Sequence, residues 1–515
     1  MRNLYICIIL IISFLSANNR GIAQTWRLLE SGTVLKGPGQ EILPLPGGGI
    51  VTITHPQPGK KGPMTICRFD EQLIEVYSRR LNLLSRERYQ SAWFHNDTLL
   101  LFTTDVAGGL TRYQVDIDNG SLTGQPLPLT GLLGIDQPLK QATFYSGGSA
   151  DSGYHYIVSA TPRDLRGILL DRQGEKVSLL HHPLPSSSTG PIAFTQSDDG
   201  TLALIYTTRD KGPADHYIVT TIDPDGTSSS FGLAGLPDDR IHNASWTMEG
   251  GTLCFTGWMS ETGAAGLTTI LTGCVDLGTG IVFGLHQTEV KTLLTKAPAS
   301  TKPQTAAPAS TKPPTDLSLL RSLPLPDGCR YLIFESSGRH LYQPRFSNAT
   351  QNPLSALGHS GAFTSLSPST QAVSYLSRGD VYVLKLDAAN EPQWLNVLSK
   401  NQEEWNKITA IGVGSLLDHE NRLHIFFYDN KLNGDATATD VAPFRADDPE
   451  SFGFACISIT PGGIMKKQFI PPADNRYRLM PALAFVDNKD EACFLAVRSK
   501  QILSTQYKVG TIALQ

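Results

Sequence analysis

Apolar runs four to nine residues long, rich in Val, Ile, Leu, Tyr, Phe and Thr, recur along the chain between clusters of Asp, Gly, Asn and Ser. Runs of that length suit strands, and apolar residues almost nowhere keep helical spacing for three turns. Only Asn401–Ile411 reads as one short helix. The interruptions carry turn chemistry. Asp223-Pro224-Asp225-Gly226 and Asp116-Ile117-Asp118-Asn119-Gly120 supply residues that accept the positive φ angles of tight hairpins. The pattern predicts an all-β protein.

One unit repeats: an apolar strand, a polar turn, and a second apolar strand that often ends in Asp. It appears as Gly49–His55 with Met64–Asp70, Thr98–Thr104 with Leu110–Asp116, and Tyr154–Ala160 with Leu165–Asp171. Leu202–Thr208 with His216–Asp223 and Thr252–Trp258 with Leu267–Asp276 follow. Further units are Cys329–Glu335 with Arg339–Phe346, Ala372–Ser377 with Asp380–Asp387, Arg422–Asp429 with Phe454–Thr460, and Glu491–Arg498 with Gln506–Leu514. Most steps between these nine units are about 40–57 residues, the spacing of β-propeller blades, whose sheets bury both faces only by stacking radially. Ig-like sandwiches need units of about 100 residues. The expectation is a β-propeller, one large ring of about eight or nine four-stranded blades. Trp26–Leu35 is placed to complete the sheet of the last unit, which runs out of chain near Leu514. The alternative is two smaller rings, 24–294 and 317–515, joined by residues 295–316. That segment repeats Ala-Pro-Ala-Ser-Thr-Lys-Pro and has no large apolar residue, so it reads as a solvated linker or surface loop.

The stretch Phe363–Asp387, written Phe-Thr-Ser-Leu-Ser-Pro-Ser-Thr-Gln-Ala-Val-Ser-Tyr-Leu-Ser-Arg-Gly-Asp-Val-Tyr-Val-Leu-Lys-Leu-Asp, resembles a WD40-like (PD40) blade of the TolB type. Ile192–Thr208, with Ser197-Asp198-Asp199-Gly200, and Asn243–Trp258, with Met248-Glu249-Gly250-Gly251, are weaker copies. Ser369-Thr370 replaces the Asp-Gly of that blade pattern. The resemblance covers a few blades and implies fold far more than activity. It also implies either a protein-binding scaffold of the envelope or a gating domain fused to a peptidase.

The amino terminus changes the picture of where the protein works. Arg2, the apolar run Leu4–Ala17, and small residues Gly21 and Ala23 before Gln24 have the layout of a secretory signal peptide over residues 1–23. The run is short of the ~20 residues of a membrane-spanning helix. Without those residues, which hold two Arg and no acid, the formal charge moves from −4 to −6. An acidic chain with no basic stripe argues against a nucleic-acid partner. Charged residues are 17% and hydrophobic ones 40% of the 515 residues, which excludes a disordered chain. Cys67, Cys254, Cys274, Cys329, Cys456 and Cys493 remain after cleavage, scattered through strand-like runs, and read as buried small hydrophobes. Cys254 and Cys274 are also placed to face each other across one hairpin.

Several stretches approach catalytic or ligand motifs and miss. Gly358-His359-Ser360-Gly361-Ala362 lacks the last Gly of a nucleophile elbow and has no α/β framework after it. His419-Glu420-Asn421-Arg422-Leu423-His424 spaces its histidines five apart, which no single helix face can present to a metal. His181-His182 precedes Pro183 and reads as a loop pair. Asp429-Asn430-Lys431-Leu432-Asn433-Gly434-Asp435 begins like a calcium loop but sets Lys431 at a ligand position. Asp276-Leu277-Gly278-Thr279-Gly280 and Asp118–Gly124 are similar to quinoprotein turns, and Ser197–Gly200 to a misspaced Asp box; all read as structural turns. Trp93, Trp258, Trp394, Trp405 and Arg345 are residue types that anchor binding sites, although most propeller Trp packs between blades.

No catalytic, cofactor-binding or metal residue is therefore assigned, and no cofactor. The expected function is an exported, periplasmic or extracellular, non-catalytic propeller that binds a protein partner in the envelope. The alternative is a glycan-processing hydrolase or lyase with carboxylates around the central channel. A cofactor-bearing sensor or electron carrier is a third class.

Overall fold

The computed structural model describes most residues between Arg27 and Leu514; residues 1–26, 297–316, 343–372 and shorter stretches of several connections lie outside the description. The segment 1–23 with signal-peptide layout, Gly358–Ala362 and Arg345 fall there. So does the linker beyond Lys296.

The strands form antiparallel sheets in chain order. The first holds β2 (Gly39–Pro44), β3 (Ile50–His55), β4 (Met64–Phe69) and β5 (Glu75–Leu81). The second holds β6 (Arg88–His95), β7 (Thr98–Thr104), β8 (Leu110–Asp116) and β9 (Leu127–Pro128). The third holds β10 (Thr143–Gly148), β11 (Tyr154–Ala160), β12 (Asp164–Asp171) and β13 (Lys176–Pro183). The fourth holds β14 (Ser188–Gln196), β15 (Leu202–Thr208), β16 (His216–Ile222) and β17 (Ser228–Gly232). The fifth holds β18 (His242–Glu249), β19 (Thr252–Met259), β20 (Thr269–Asp276) and β21 (Val282–Glu289), followed by helix α1 (Val290–Lys296).

The sixth sheet is larger. It contains β22 (Leu317–Pro324), β23 (Arg330–Tyr342), β24 (Val373–Leu386), β25 (Pro392–Leu398), β26 (Gln402–Trp405) and β29 (Phe444–Arg445). The seventh holds β27 (Gly414–Leu417), β28 (Leu423–Asn430), β30 (Phe452–Ile459) and β31 (Met465–Ile470). The last holds β32 (Arg478–Val486), β33 (Glu491–Ser499), β34 (Thr505–Ala513) and, from the other end of the chain, β1 (Arg27–Leu28). Arg27 pairs with Thr511 and Leu28 with Gly510, so the start of the chain completes the sheet of its end.

Each sheet stacks on the next because its second and third strands are apolar on both faces. Leu99, Leu101 and Tyr113 pack on Val51, Ile53 and Ile66, while Leu100 and Phe102, pointing the other way, pack on Ile157 and Ile168. The same interleaving joins the third sheet to the fourth and the fourth to the fifth. Leu332 and Phe334 join the sixth to Trp258 and Ile270 of the fifth, and Tyr331 and Ile333 join it to Ile425 and Phe427 of the seventh. Phe426, Phe454 and Phe494 close the seventh against the last, Phe426 and Phe494 meeting edge to face at 4.8 Å. The last sheet returns to the first, where β32 lies against β2. Burying such side chains contributes about 1.5–3 kcal/mol each, distributed around a single ring.

The blade expectation needs correction. Of the eight sheets, seven are four-stranded blades and the sixth is a six-stranded assembly, so the ring is not a uniform set of eight or nine four-stranded blades. The nine-unit count fails at one place. Cys329–Phe346 and Ala372–Asp387 each read as a hairpin, but they are single long strands, β23 and β24, that pair with each other. Two sequence units are therefore one blade. The supposed turn at Ser377–Asp380 is a register shift in the ladder, with Glu335 opposite Val381 and Ser337 opposite Arg378. Two separate rings are also excluded, because the fifth and sixth sheets share a core across the linker and the last sheet meets the first. Asn401–Ile411 is not a helix where described: Gln402–Trp405 is the strand β26. The only described helix is α1, whose Val290 and Leu293 pack beside Leu395. Its last two residues begin the segment read as a linker.

The aspartates that end the third strands behave as the turn chemistry requires. Asp171 Oδ1 accepts the backbone N–H of Glu175 at 2.8 Å, and Asp387 Oδ1 that of Glu391 at 2.8 Å. Asp276 Oδ1 accepts both N–H and hydroxyl of Thr279 at 2.7 Å, so Asp276–Gly280 is a turn. Cys254 and Cys274 stand directly opposite on β19 and β20, with Cα atoms 4.0 Å apart, and are bonded.

Candidate functional site

The two ends of the ring differ. At one end, the joins between first and second and between third and fourth strands are mostly tight turns, such as 96–97, 172–175, 223–227, 325–329 and 387–391. The strands that flank the longest intervals, β21 with β22, β23 with β24 and β28 with β30, end and begin at the other end. The sixth sheet grows out of that second end. β23 and β24 remain paired beyond the blade as far as Tyr342 opposite Val373. β25 covers β24 over Val381–Leu386, and beyond it β26 takes over along Tyr375–Arg378, with β29 parallel to β26. A four-stranded projection therefore stands on the blade.

At its base, in the seam between the sixth and seventh sheets, lies a cluster of buried charge. Lys400, between β25 and β26, has 0% side-chain exposure and Glu335 1%; the Lys400 ammonium donates to the Glu335 carboxylate. The same Nζ donates to Gln402 Oε1 at 3.1 Å, and the Lys400 backbone N–H to Asp380 Oδ1 at 3.1 Å. Gln402 Nε2 then donates to the Tyr428 carbonyl at 2.7 Å, and its Oε1 accepts the Gly412 N–H at 2.9 Å. These contacts tie β23, the bulge of β24, β26 and the neighbouring blade together.

A second buried pair continues the cluster. Lys467 Nζ donates to Asp429 Oδ2 at 2.6 Å. Asp429 Oδ1 accepts Nδ2 of Asn433 at 2.7 Å, and Asn433 exchanges hydrogen bonds of 2.9 Å with both backbone groups of Ala442. Both lysines stand over the Phe427 ring, with Lys400 Nζ 5.8 Å and Lys467 Nζ 5.9 Å from its centroid, within cation–π range. Burial raises the Asp429 carboxyl pKa even against the pull of Lys467, and burial likewise raises that of Asp380. Buried ion pairs are a weak source of stability, since desolvation offsets most of their attraction. Their value here is geometric: the charges find partners in one arrangement of the projection.

Other sequence candidates resolve into structure. His424 is fully buried at the opposite end of the seventh blade, with Nε2 2.9 Å from Asp418 Oδ2 and Nδ1 3.0 Å from Ser458 Oγ. Burial works to raise the Asp418 carboxyl, but donors from His424 and Arg422 outweigh it and hold it below its ordinary value. With Asp418 Oδ1 accepting the N–H groups of Glu420 and Arg422, this cluster closes a turn. His181 and His182 lie in β13, not in a loop; His181 pairs with Asp164 at 3.0 Å. Trp258 and Trp394 are buried, and Trp93 stacks between Phe102 and His155 at 4.3 and 3.9 Å. The Trp405 side chain lies outside the description. Cys67 and Cys456 are buried, and burial pushes the Cys67 thiol up to about 11. Among the described residues no group of His, Cys, Asp and Glu could hold a metal, and no helix is long and apolar enough to cross a membrane.

Sequence reading missed the cluster. Its signal was a charge closing an apolar strand, Glu335 after Tyr331-Leu332-Ile333-Phe334 and Asp429 after Ile425-Phe426-Phe427-Tyr428. In sequence, Asp429 stands only as the end of the run Arg422–Asp429 and the start of the calcium-loop-like stretch Asp429–Asp435.

These sheets define a β-propeller with WD40-like structural neighbours. No protein-family model and no curated protein matches the chain, so the TolB-type assignment stays a resemblance. Among solved structures it is similar to the WD40 domain of SCAP from fission yeast, at 7% identity over 95% of this chain and 98% of that one, TM-score 0.38. The polysaccharide lyase Uly1 matches at 8% identity over 84% and 91%, TM-score 0.38. The β-propeller domain of the Trilobed protease from Pyrococcus furiosus matches at 9% identity over 72% and 100%, TM-score 0.32. At such identities the likeness speaks to fold alone.

Proposed function

We propose that the protein is an exported, non-catalytic β-propeller that binds a protein partner in the cell envelope or outside the cell, and that the projection of the sixth blade is its contact element. The observation carrying this reading is the buried Lys400–Glu335 pair at the root of the projection. A costly charge cluster is spent on fixing the root of a hairpin that extends beyond the blade. Export is supported by the leader-like residues 1–23 and by the Cys254–Cys274 bond, a linkage that persists in oxidising compartments. The TolB-type resemblance of Phe363–Asp387, which runs into β24, agrees with an envelope scaffold.

The test replaces residues 337–378 by a tight turn and compares the trimmed and full chains in co-purification from envelope extracts. The reading expects a partner retained by the full chain and lost by the trimmed one at equal thermal stability. A partner held equally by both, or turnover of a glycan panel abolished by changing a channel carboxylate, overturns it.

A further inference from the structure

The second and fifth blades share a register and differ in what fills the seam beyond it. Both central hairpins open on Thr opposite Asp, Thr98 with Asp116 and Thr252 with Asp276. Leu100 opposite Gln114 then corresponds to Cys254 opposite Cys274, and Phe102 opposite Arg112 to Thr256 opposite Thr272. In the second blade the seam is filled. Leu100 and Phe102 are buried, and Arg112 donates to the Gly174 carbonyl and to Glu175 in the facing turn of the third blade. In the fifth blade the short Thr272 stands in place of that arginine. The facing turn of the sixth blade reaches in instead, with Asn390 Nδ2 donating to the Phe255 carbonyl at 3.2 Å and Glu391 meeting His286 at 3.3 Å. Thr272 Oγ1 and Asn390 Oδ1 are buried with no protein partner. Such oxygens are normally satisfied by ordered water, so this seam is polar where the other is sealed by side chains.

Cys254 and Cys274 lie on that seam, and neither is fully buried, unlike Cys67 and Cys456. Toward the channel, Thr247 stands directly opposite Cys254 and accepts a hydrogen bond from the Arg330 guanidinium of the sixth blade. Toward the rim, the half-exposed Phe283 of β21 stands opposite Cys274. The two strands do not need the bond to stay in register, because their ladder runs unbroken from Thr252 opposite Asp276 to Met259 opposite Thr269. Partial exposure and a neighbouring cation are the surroundings of disulfides that exchange, since the cation stabilises the thiolate that leaves.

We propose that Cys254–Cys274 is a thiol–disulfide exchange site, opened in the folded protein by a dithiol reductant. A thiolate of the reductant attacks Cys274 Sγ from the rim side. The S–S bond breaks and its electron pair leaves on Cys254 Sγ, beside the Arg330 guanidinium, where the thiolate takes up a proton. The second thiol of the reductant gives up its proton and attacks the reductant's own sulfur in the mixed disulfide, which releases Cys274 as the second thiolate. Two electrons have then passed to the protein, its two thiols are free, and the reductant has become a disulfide. In an oxidising compartment the bonded form is the resting one. Exchange at this bond does not depend on the scaffold reading.

The experiment incubates the full chain with dithiothreitol in native buffer, quenches with an alkylating label and maps the labelled cysteines by mass spectrometry. The expected result is joint labelling of Cys254 and Cys274 while Cys67 and Cys456 stay unlabelled and circular dichroism is unchanged, with oxidised dithiothreitol restoring the bond. Arg330→Gln is expected to slow opening about fivefold or more, and Arg330→Lys to keep most of the wild-type rate. Labelling of Cys254 and Cys274 only together with Cys67 means that the bond opens through unfolding and overturns the proposal. So does an opening rate that rises with urea in step with global unfolding, or an Arg330→Gln chain that opens as fast as the wild type.

Discussion

The Lys400 ammonium, with no exposed surface, donates to Glu335 and Gln402 and stands over the Phe427 ring. Removing it leaves the buried Glu335 carboxyl without its cationic partner. Lys400→Met is therefore expected to lower stability by about 3–5 kcal/mol, read as a shift of the urea midpoint. The paired change Lys400→Met with Glu335→Leu should restore most of the loss, since replacing both partners removes the stranded charge. If the double variant is as weak as the single, the cluster does not work as an ion pair. The acids also divide by environment. Asp418 is held below its ordinary value by His424 and Arg422, so its contribution is present above the usual carboxylate range and is lost as pH falls through its folded value. Asp380 and Asp429 have raised values, so their contribution is full below the ordinary carboxylate pKa and fades as pH rises through the folded one. Asp418→Asn should then lower Tm at pH 7 and flatten its decline in acid, measured by calorimetry across that range.

At the scale of strands and hairpins, local chemistry was legible and long-range pairing was not. Strand ends marked by Asp70, Asp116, Asp171, Asp276 and Asp387 could be read because the acid and the amides it accepts lie within a few residues. β23 and β24 were each broken in two because Ser336-Ser337-Gly338 and Ser377-Arg378-Gly379-Asp380 have turn composition, yet pairing in the projection keeps both strands extended. Gly379 serves close approach there: a Cβ would stand 2.4 Å from Ser336 Oγ. The buried charge cluster was invisible for a related reason. Glu335, Lys400 and Lys467 are ordinary polar residues in sequence, and only the meeting of two blades makes them partners. The Cys254–Cys274 bond lies between these extremes, suggested by hairpin register and present at it. Closing a loop at a sequence separation of 20, it should contribute about 3 kcal/mol. Cys254→Ser with Cys274→Ser is expected to lower the denaturation midpoint accordingly. In the unfolded, unreduced chain a thiol label should modify Cys67 and leave Cys254 and Cys274 untouched.

For the whole molecule the decisive contacts are seams, and they cross the segment that composition marks as a divider. The fifth and sixth sheets share Trp258, whose ring meets Phe334 and Tyr382 edge-on at 5.4 and 5.7 Å, although residues 297–316 separate them in sequence. The other break in the circle, between the last sheet and the first, is bridged by β1 on β34 and by β32 against β2. A chain cut once within 297–316 is thus held along two seams, one of them built around Trp258 and Phe334. Limited proteolysis directed at that segment should give two fragments in denaturing gels that still elute together at the size of the intact chain. Both should melt in one transition, because neither piece can bury its terminal blades alone. Fragments that separate without denaturant, each retaining its own sharp transition, would mean that two half-structures satisfy their outer sheets independently, which shared burial of Trp258 and Phe334 does not permit.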